Sequence, residues 1–148
     1  MGKIEAINIT NISEENTFYV NQAILEKGKG IVNDRYYENF KEKKEQVTII
    51  NLEDIDNFNK QIKQDIDAKD FRRNIIVSGI NLNELIDKKI KVNEITLKIH
   101  EICQPCKYLQ DRLKIPGLVK LLVNKSGVRA EILSSGSLSV GDVIKILK

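Results

Sequence analysis

Ile90-Lys91-Val92-Asn93-Glu94-Ile95-Thr96-Leu97-Lys98-Ile99-His100-Glu101-Ile102 is the stretch that decides the fold class. Residues 90–92 and 95–102 read as strands. In the second, Ile95, Leu97 and Ile99 alternate with polar neighbours, the period of a half-buried strand. Upstream, Lys3-Ile4-Glu5-Ala6-Ile7-Asn8-Ile9 alternates in the same way, and Ala23–Glu26 is a strand stopped by Lys27-Gly28-Lys29-Gly30. Val47–Ile50 is a short β-branched run that suits a buried strand. Phe71–Ser78 is strand-like through Asn74-Ile75-Ile76-Val77 and closes at Gly79. Downstream, Val128–Leu133 and Val143–Leu147 are strands, separated by turns at Gly136 and Gly141-Asp142.

Helices are fewer and shorter. Asn51 is positioned to cap one whose apolar face is Leu52, Ile55, Phe58, Ile62 and Ile66, ending at Ala68-Lys69-Asp70. Residues 81–86 fit one helical turn or a loop. Pro105 starts a helix over Cys106–Leu113, because proline is tolerated in a first turn. Pro116-Gly117 breaks it, and Leu118–Val123 forms another. Seven or eight strands that mostly do not alternate with helices predict a mainly β, β-rich α+β domain, barrel-like with a few short inserted helices. One domain over residues 1–148 is expected.

Composition excludes several classes. The 148 residues carry 24 basic and 21 acidic side chains, a net charge of +3. The densest charge run, Lys41-Glu42-Lys43-Lys44-Glu45, alternates in sign, so no basic stripe for nucleic acid appears. No apolar window is long enough to span a membrane. Glu5 interrupts any signal-peptide pattern, and Ile7 stands where a myristoylation motif needs a hydroxyl. A cytoplasmic protein without membrane or nucleic-acid partners is the expectation. There is one His, His100, and two Cys, Cys103 and Cys106. That excludes a two-His metal site and a secreted disulfide scaffold. Only five cations are arginine: Arg35, Arg72, Arg73, Arg112 and Arg129.

The scarce residue types mark four segments. His100-x-x-Cys103-x-x-Cys106 places Cys106 at a helix start, where unpaired N–H groups favour a thiolate. Thiolates suit soft metals or sulfur transfer. A zinc site would lack its fourth ligand, a Cys103/Cys106 dithiol redox pair is open, and so is a Cys103 that is merely a small buried hydrophobe beside a surface His100. Phe71-Arg72-Arg73-Asn74 leads a strand, so at most one of the two arginines should face a given pocket. Arg, unlike Lys, offers planar bidentate recognition of phosphate or carboxylate, although a surface ion pair would also use it. Lys125-Ser126-Gly127-Val128-Arg129-Ala130 and Gly30-Ile31-Val32-Asn33-Asp34-Arg35-Tyr36 each bring a turn and another arginine. Together these segments suggest one pocket that grips a phosphorylated anion and presents Cys106 to a soft centre.

The ordered set Gly30-x-x-x-Asp34-Arg35, Gln46-Val47-Thr48, Phe71-Arg72-Arg73-Asn74-Ile75 with Gly79-Ile80-x-Leu82-x-x-Leu85, Pro105-Cys106-x-x-Leu109, Gly127-Val128-Arg129-Ala130 and Gly141-Asp142 resembles MOSC domains. These are named after the C-terminal part of molybdenum cofactor sulfurase. The resemblance implies a barrel-like fold that binds the molybdenum cofactor, a molybdenum–pyranopterin dithiolene carrying a phosphate. Cys106 would be the catalytic residue and metal ligand, or a carrier of sulfur. Arg72, Arg73, Asn74 and Arg129 would bind the cofactor, with Asp34 and Arg35 as the loop wall. Some relatives reduce N-hydroxylated compounds by oxygen-atom transfer, with electrons from a partner protein. Others deliver sulfur alongside a pyridoxal-phosphate domain, so a pyridoxal phosphate association belongs to the wider family and is not expected here. The expectation is therefore a molybdenum-cofactor protein acting on a small molecule, with an electron-donor or cofactor-biosynthesis partner. The alternatives are a non-catalytic carrier of cofactor or of a Cys106 persulfide, and the dithiol redox module. The family often has Gly-Asp-Arg-His in the early loop where this chain has Asn33-Asp34-Arg35-Tyr36, and its late glycine pair is Ser135-Gly136.

Overall fold

The computed structural model describes residues 2–11 and 16–147; Met1, where the reading of the N-terminus starts, lies outside them. Along the chain run β1 (Gly2–Ile9), β2 (Phe18–Val20), β3 (Gln22–Glu26), β4 (Gly30–Ile31), β5 (Val47–Asn51), α1 (Leu52–Ile62), β6 (Ile75–Ser78), β7 (Lys89–Val92) and β8 (Ile95–Ile102). Then follow α2 (Lys107–Leu113), α3 (Leu118–Leu121), β9 (Val128–Ser134), β10 (Gly136–Ser139) and β11 (Val143–Leu147). The order β11-β7-β8-β9-β5-β6-β1 closes into a seven-stranded barrel because β1 also pairs with β11, Gly2 opposite Ile144. β2 extends the far end of β1, and β10, β3 and β4 form a small second sheet. No helix is long and apolar enough to cross a membrane among the described residues.

Pairing is antiparallel throughout the barrel except between β5 and β6, which run parallel with Ile49 opposite Ile75. A parallel pair needs a crossover, and α1 supplies it. The crossover covers the outer face of these strands, which explains their nearly unbroken apolar sequence. Val47, Ile49, Ile75 and Val77 fill the barrel interior. Ile50 and Ile76 point outward into a second cluster with Ile55, Phe58, Phe71, Leu109, Leu118 and Leu122. Phe58 and Phe71 meet edge to face there, their centroids 5.8 Å apart.

Several local expectations are corrected. The alternation along β1 is broken by a register shift between Ile4 and Ala6. The shift lets Ile4 and Ile7 both face the interior while Ala6 packs against the outer cluster. α1 stops at Ile62 rather than near Ala68, because Lys63 adopts the left-handed conformation (φ 57°) and donates its N–H to the carbonyls of Asn59 and Lys60. Ile66 is held instead by the Asn59 side chain, which bonds its N–H at 2.9 Å and its carbonyl at 3.0 Å. Asn51 occupies the cap position, but its side chain makes no cap bond; it donates to the Ile80 carbonyl and accepts from the Leu82 N–H. Gly136 opens β10 rather than a turn, and β2 was not anticipated. Only Ile75–Ser78 of the expected strand over 71–78 forms; Phe71 ends a 3-10 turn over Ala68–Phe71. That last correction shapes the site.

Candidate functional site

Arg72 caps the 3-10 turn with φ 61°, its N–H bonded to the Lys69 carbonyl at 3.0 Å. The left-handed residue breaks the strand alternation that would have sent Arg72 and Arg73 to opposite faces. Both line one cavity of about 250 Å³, together with Arg35, Tyr36, Cys106 and Tyr108, over a floor of Phe71 and Leu109. Three guanidinium groups and a thiol share this wall, and no lining residue is acidic.

Asp34 and Arg35 form the rigid back of the cavity. The Asp34 side chain is buried; Oδ1 accepts the Thr10 N–H at 3.2 Å and Arg35 Nη1 at 3.3 Å, and Oδ2 accepts the Tyr36 N–H at 3.3 Å. Arg35 in turn donates Nη2 to the Arg72 carbonyl at 3.0 Å and lies over the Tyr36 ring, 4.4 Å from its centroid. Arg35 thus holds the strained Arg72 peptide in place. Arg73 is anchored by Nε donating to the Ser126 carbonyl at 2.7 Å. The Ser126 hydroxyl donates to the Cys103 carbonyl.

Burial, with the Arg35 charge second, pushes the Arg72 guanidinium below its ordinary pKa. Two like charges in a half-enclosed wall are relieved by an anion, which the cavity mouth admits. Glycine adopts the Arg72 backbone conformation without steric cost. Arg72→Gly should therefore leave stability unchanged or raise it by about 1 kcal/mol while weakening phosphate binding about fivefold or more. Chemical denaturation and titration with inorganic phosphate check this; a loss of stability with unchanged phosphate affinity would contradict it.

Cys106 sits at the N-cap of α2, exposed and free, with no side-chain cap bond. Cys103 is buried and also free; its N–H bonds the Gly127 carbonyl at 2.8 Å. His100, half-buried on β8, contacts Glu131 through Nε2 at 2.8 Å and lies away from the cavity wall. Asn74 is fully buried and occupied by the framework. Its Oδ1 accepts from the Thr48 N–H and hydroxyl, and its Nδ2 donates to the Asn8 carbonyl. Arg129, on β9 opposite Thr48 and Glu101, does not line the cavity.

The fifth arginine, left out of the expected site, stands at its rim. Arg112 donates Nη1 to the Tyr108 hydroxyl at 3.0 Å, and the ring of Tyr108 lies between Arg72 and Arg112, at 5.9 and 6.0 Å from their guanidinium carbons. Arg112 also donates to Asn16 Oδ1. The four-residue spacing of Tyr108 and Arg112 on a helix that starts beside Cys106 was a usable signal. Ser126 had a weaker one, as part of the glycine turn before β9.

Solved structures share this fold. The YuaD protein from Bacillus subtilis superposes with a TM-score of 0.83 at 19% identity, covering 99% of this chain and 96% of that one. YiiM from Geobacillus stearothermophilus gives 0.81 at 16%, covering 100% and 76%. YiiM from Escherichia coli gives 0.74 at 12%, covering 99% and 70%. No curated protein matches the sequence. The family model described as the MOSC domain matches residues 36–145.

Proposed function

The chain belongs to the MOSC domain family, and on that footing we propose that it binds the molybdenum cofactor in the cavity between Arg35, Arg72, Arg73 and Cys106. The observation that carries this reading is the shared wall: guanidinium groups and a free thiol line one cavity with no acidic neighbour. Guanidinium suits the oxygens of a phosphate, and a thiolate suits a soft metal. Tyr36 and Tyr108 offer aromatic edges or faces to a ring system. Among the described residues no three His, Cys, Asp or Glu side chains converge to hold an ion. A metal at Cys106 therefore has to bring its other ligands with it, as a dithiolene-bound metal does.

In this reading Arg72 and Arg73 hold the phosphate, Cys106 supplies the protein ligand, and Arg35 with Asp34 fixes the wall behind them. Asn74 acts through position: it ties β6 to β5 and β1 just after the two arginines. When bound, the cofactor would supply two-electron oxygen-atom transfer, for which an N-hydroxylated small molecule is the proposed substrate, with electrons from a partner protein. A carrier without turnover is the second reading, favoured by the exposure of Cys106, since a sulfur handed to another protein must be reachable.

Protein produced in a molybdenum-replete host should carry molybdenum and pterin, and Cys106→Ala should lose at least about nine-tenths of the metal. Metal analysis and pterin fluorescence of both proteins test it. Wild type without either component under those conditions overturns cofactor binding. A persulfide mass shift on Cys106 without reduction of hydroxylamines selects the carrier.

A further inference from the structure

We propose that Cys106 is a site of reversible S-thiolation selective for small anionic disulfides. The thiol is exposed, yet it opens onto a wall with three arginines and no acidic side chain. Two of those arginines are fixed rather than mobile. Arg35 is buried and clamped by Asp34 and the Arg72 carbonyl, and Arg73 is tied to the Ser126 carbonyl. Arg112 adds a fourth cation at the rim, two turns of sequence beyond the thiol, through its bond to Tyr108. Positive charge held at a half-enclosed thiol raises the local concentration of anionic reagents and lowers that of cationic ones. The cavity of about 250 Å³ has room for a small organic thiol.

The chemistry balances without a further oxidant. Cys106 thiolate attacks one sulfur of the disulfide; that S–S bond breaks as the Cys106 mixed disulfide forms. The other half leaves as a thiolate with the bonding electron pair and takes a proton from water. Cys103 is poorly placed to resolve the adduct, because it is buried and its backbone is pinned by Gly127 and Ser126. The adduct then persists until an external thiol removes it. If the cofactor reading holds, thiolation also withholds the ligand sulfur and switches the site off.

The test compares dithiodipropionate (anionic), hydroxyethyl disulfide (neutral) and cystamine (cationic) on metal-free protein. Mass spectrometry of the peptide bearing Cys106 gives the rate in folded protein and in urea. All three reagents meet the same thiolate population, so the ratios report charge selectivity alone. The folded-to-unfolded rate ratio should be about tenfold higher for the anionic than for the cationic reagent, with the neutral one between. Arg72→Gln and Arg73→Gln should each cut that preference by half or more. Equal ratios for the three reagents in the wild type overturn the proposal, as does a preference unchanged in both variants. Molybdenum is not read in this assay, so its outcome and that of the cofactor test are independent.

Discussion

Replacing Gly127 with alanine is expected to lower the unfolding midpoint by roughly 10 °C, corresponding to about 4 kcal/mol. Gly127 has φ +100°, and a Cβ there would lie 2.3 Å from the backbone oxygen of Ile49. Neither partner can yield. Ile49 is fully buried in the barrel and paired on both sides, with Ile75 on β6 and Val128 on β9. The only relief is to separate β9 from β5, which opens the barrel wall. The damage would reach the site as well. The Ser126 carbonyl anchors Arg73, and the Gly127 carbonyl holds the Cys103 N–H just ahead of the Cys106 turn. Thermal unfolding by circular dichroism measures this; a midpoint within about 2 °C of the wild type would show that the contact is not rigid.

Asp34→Ala is expected to cost about 3 kcal/mol, since it strips the counter-charge from a buried arginine. The side chain of Asp34 is 1% exposed and that of Arg35 6%. Removing the carboxylate also leaves the Thr10 and Tyr36 N–H groups without their acceptor. Asp34→Asn keeps an acceptor oxygen and should recover part of the loss, so the two variants separate charge from hydrogen bonding. Arg35 would no longer be held against the Arg72 carbonyl, and phosphate binding should weaken together with stability in the alanine variant. Urea denaturation of both variants decides the matter: equal stability of wild type, Asn and Ala forms would mean that the Arg35 charge is compensated elsewhere.

The strands were legible where one face is buried. β8 keeps its alternation because its outer side chains, among them His100, remain half-exposed. Alternation failed along β1, where one extra residue reverses the inward set, and a bulge leaves no mark in apolar spacing. The site was legible through its rare side chains. Cys106, Arg35 and the Arg72–Arg73 pair converge because the loops after β4, before β6 and before α2 meet at one place. What the sequence could not show was how both arginines face the same cavity. That depends on a left-handed arginine, a conformation for which no residue other than glycine advertises itself. Arg129 and Arg112 exchanged places for a tertiary reason. Arg129 alternates outward on β9 between Val128 and Ala130, which face the barrel interior, whereas the packing of α2 on the outer cluster brings Arg112 to the rim.

The barrel seam sets an order of events in folding. Gly2 pairs with Ile144, and Ile4 donates its N–H to the Asp142 carbonyl at 2.9 Å, so the wall closes only when the two ends of the chain have met. Until β11 arrives, β1 and β7 both present open edges, and the isoleucines and valines between them face solvent or other chains. Closing so long a loop yields contacts late for entropy lost early, which places such a topology among slow folders. The most exposed moment for this protein is therefore just before its last strand is in place, when a nearly complete apolar interior still has an open side.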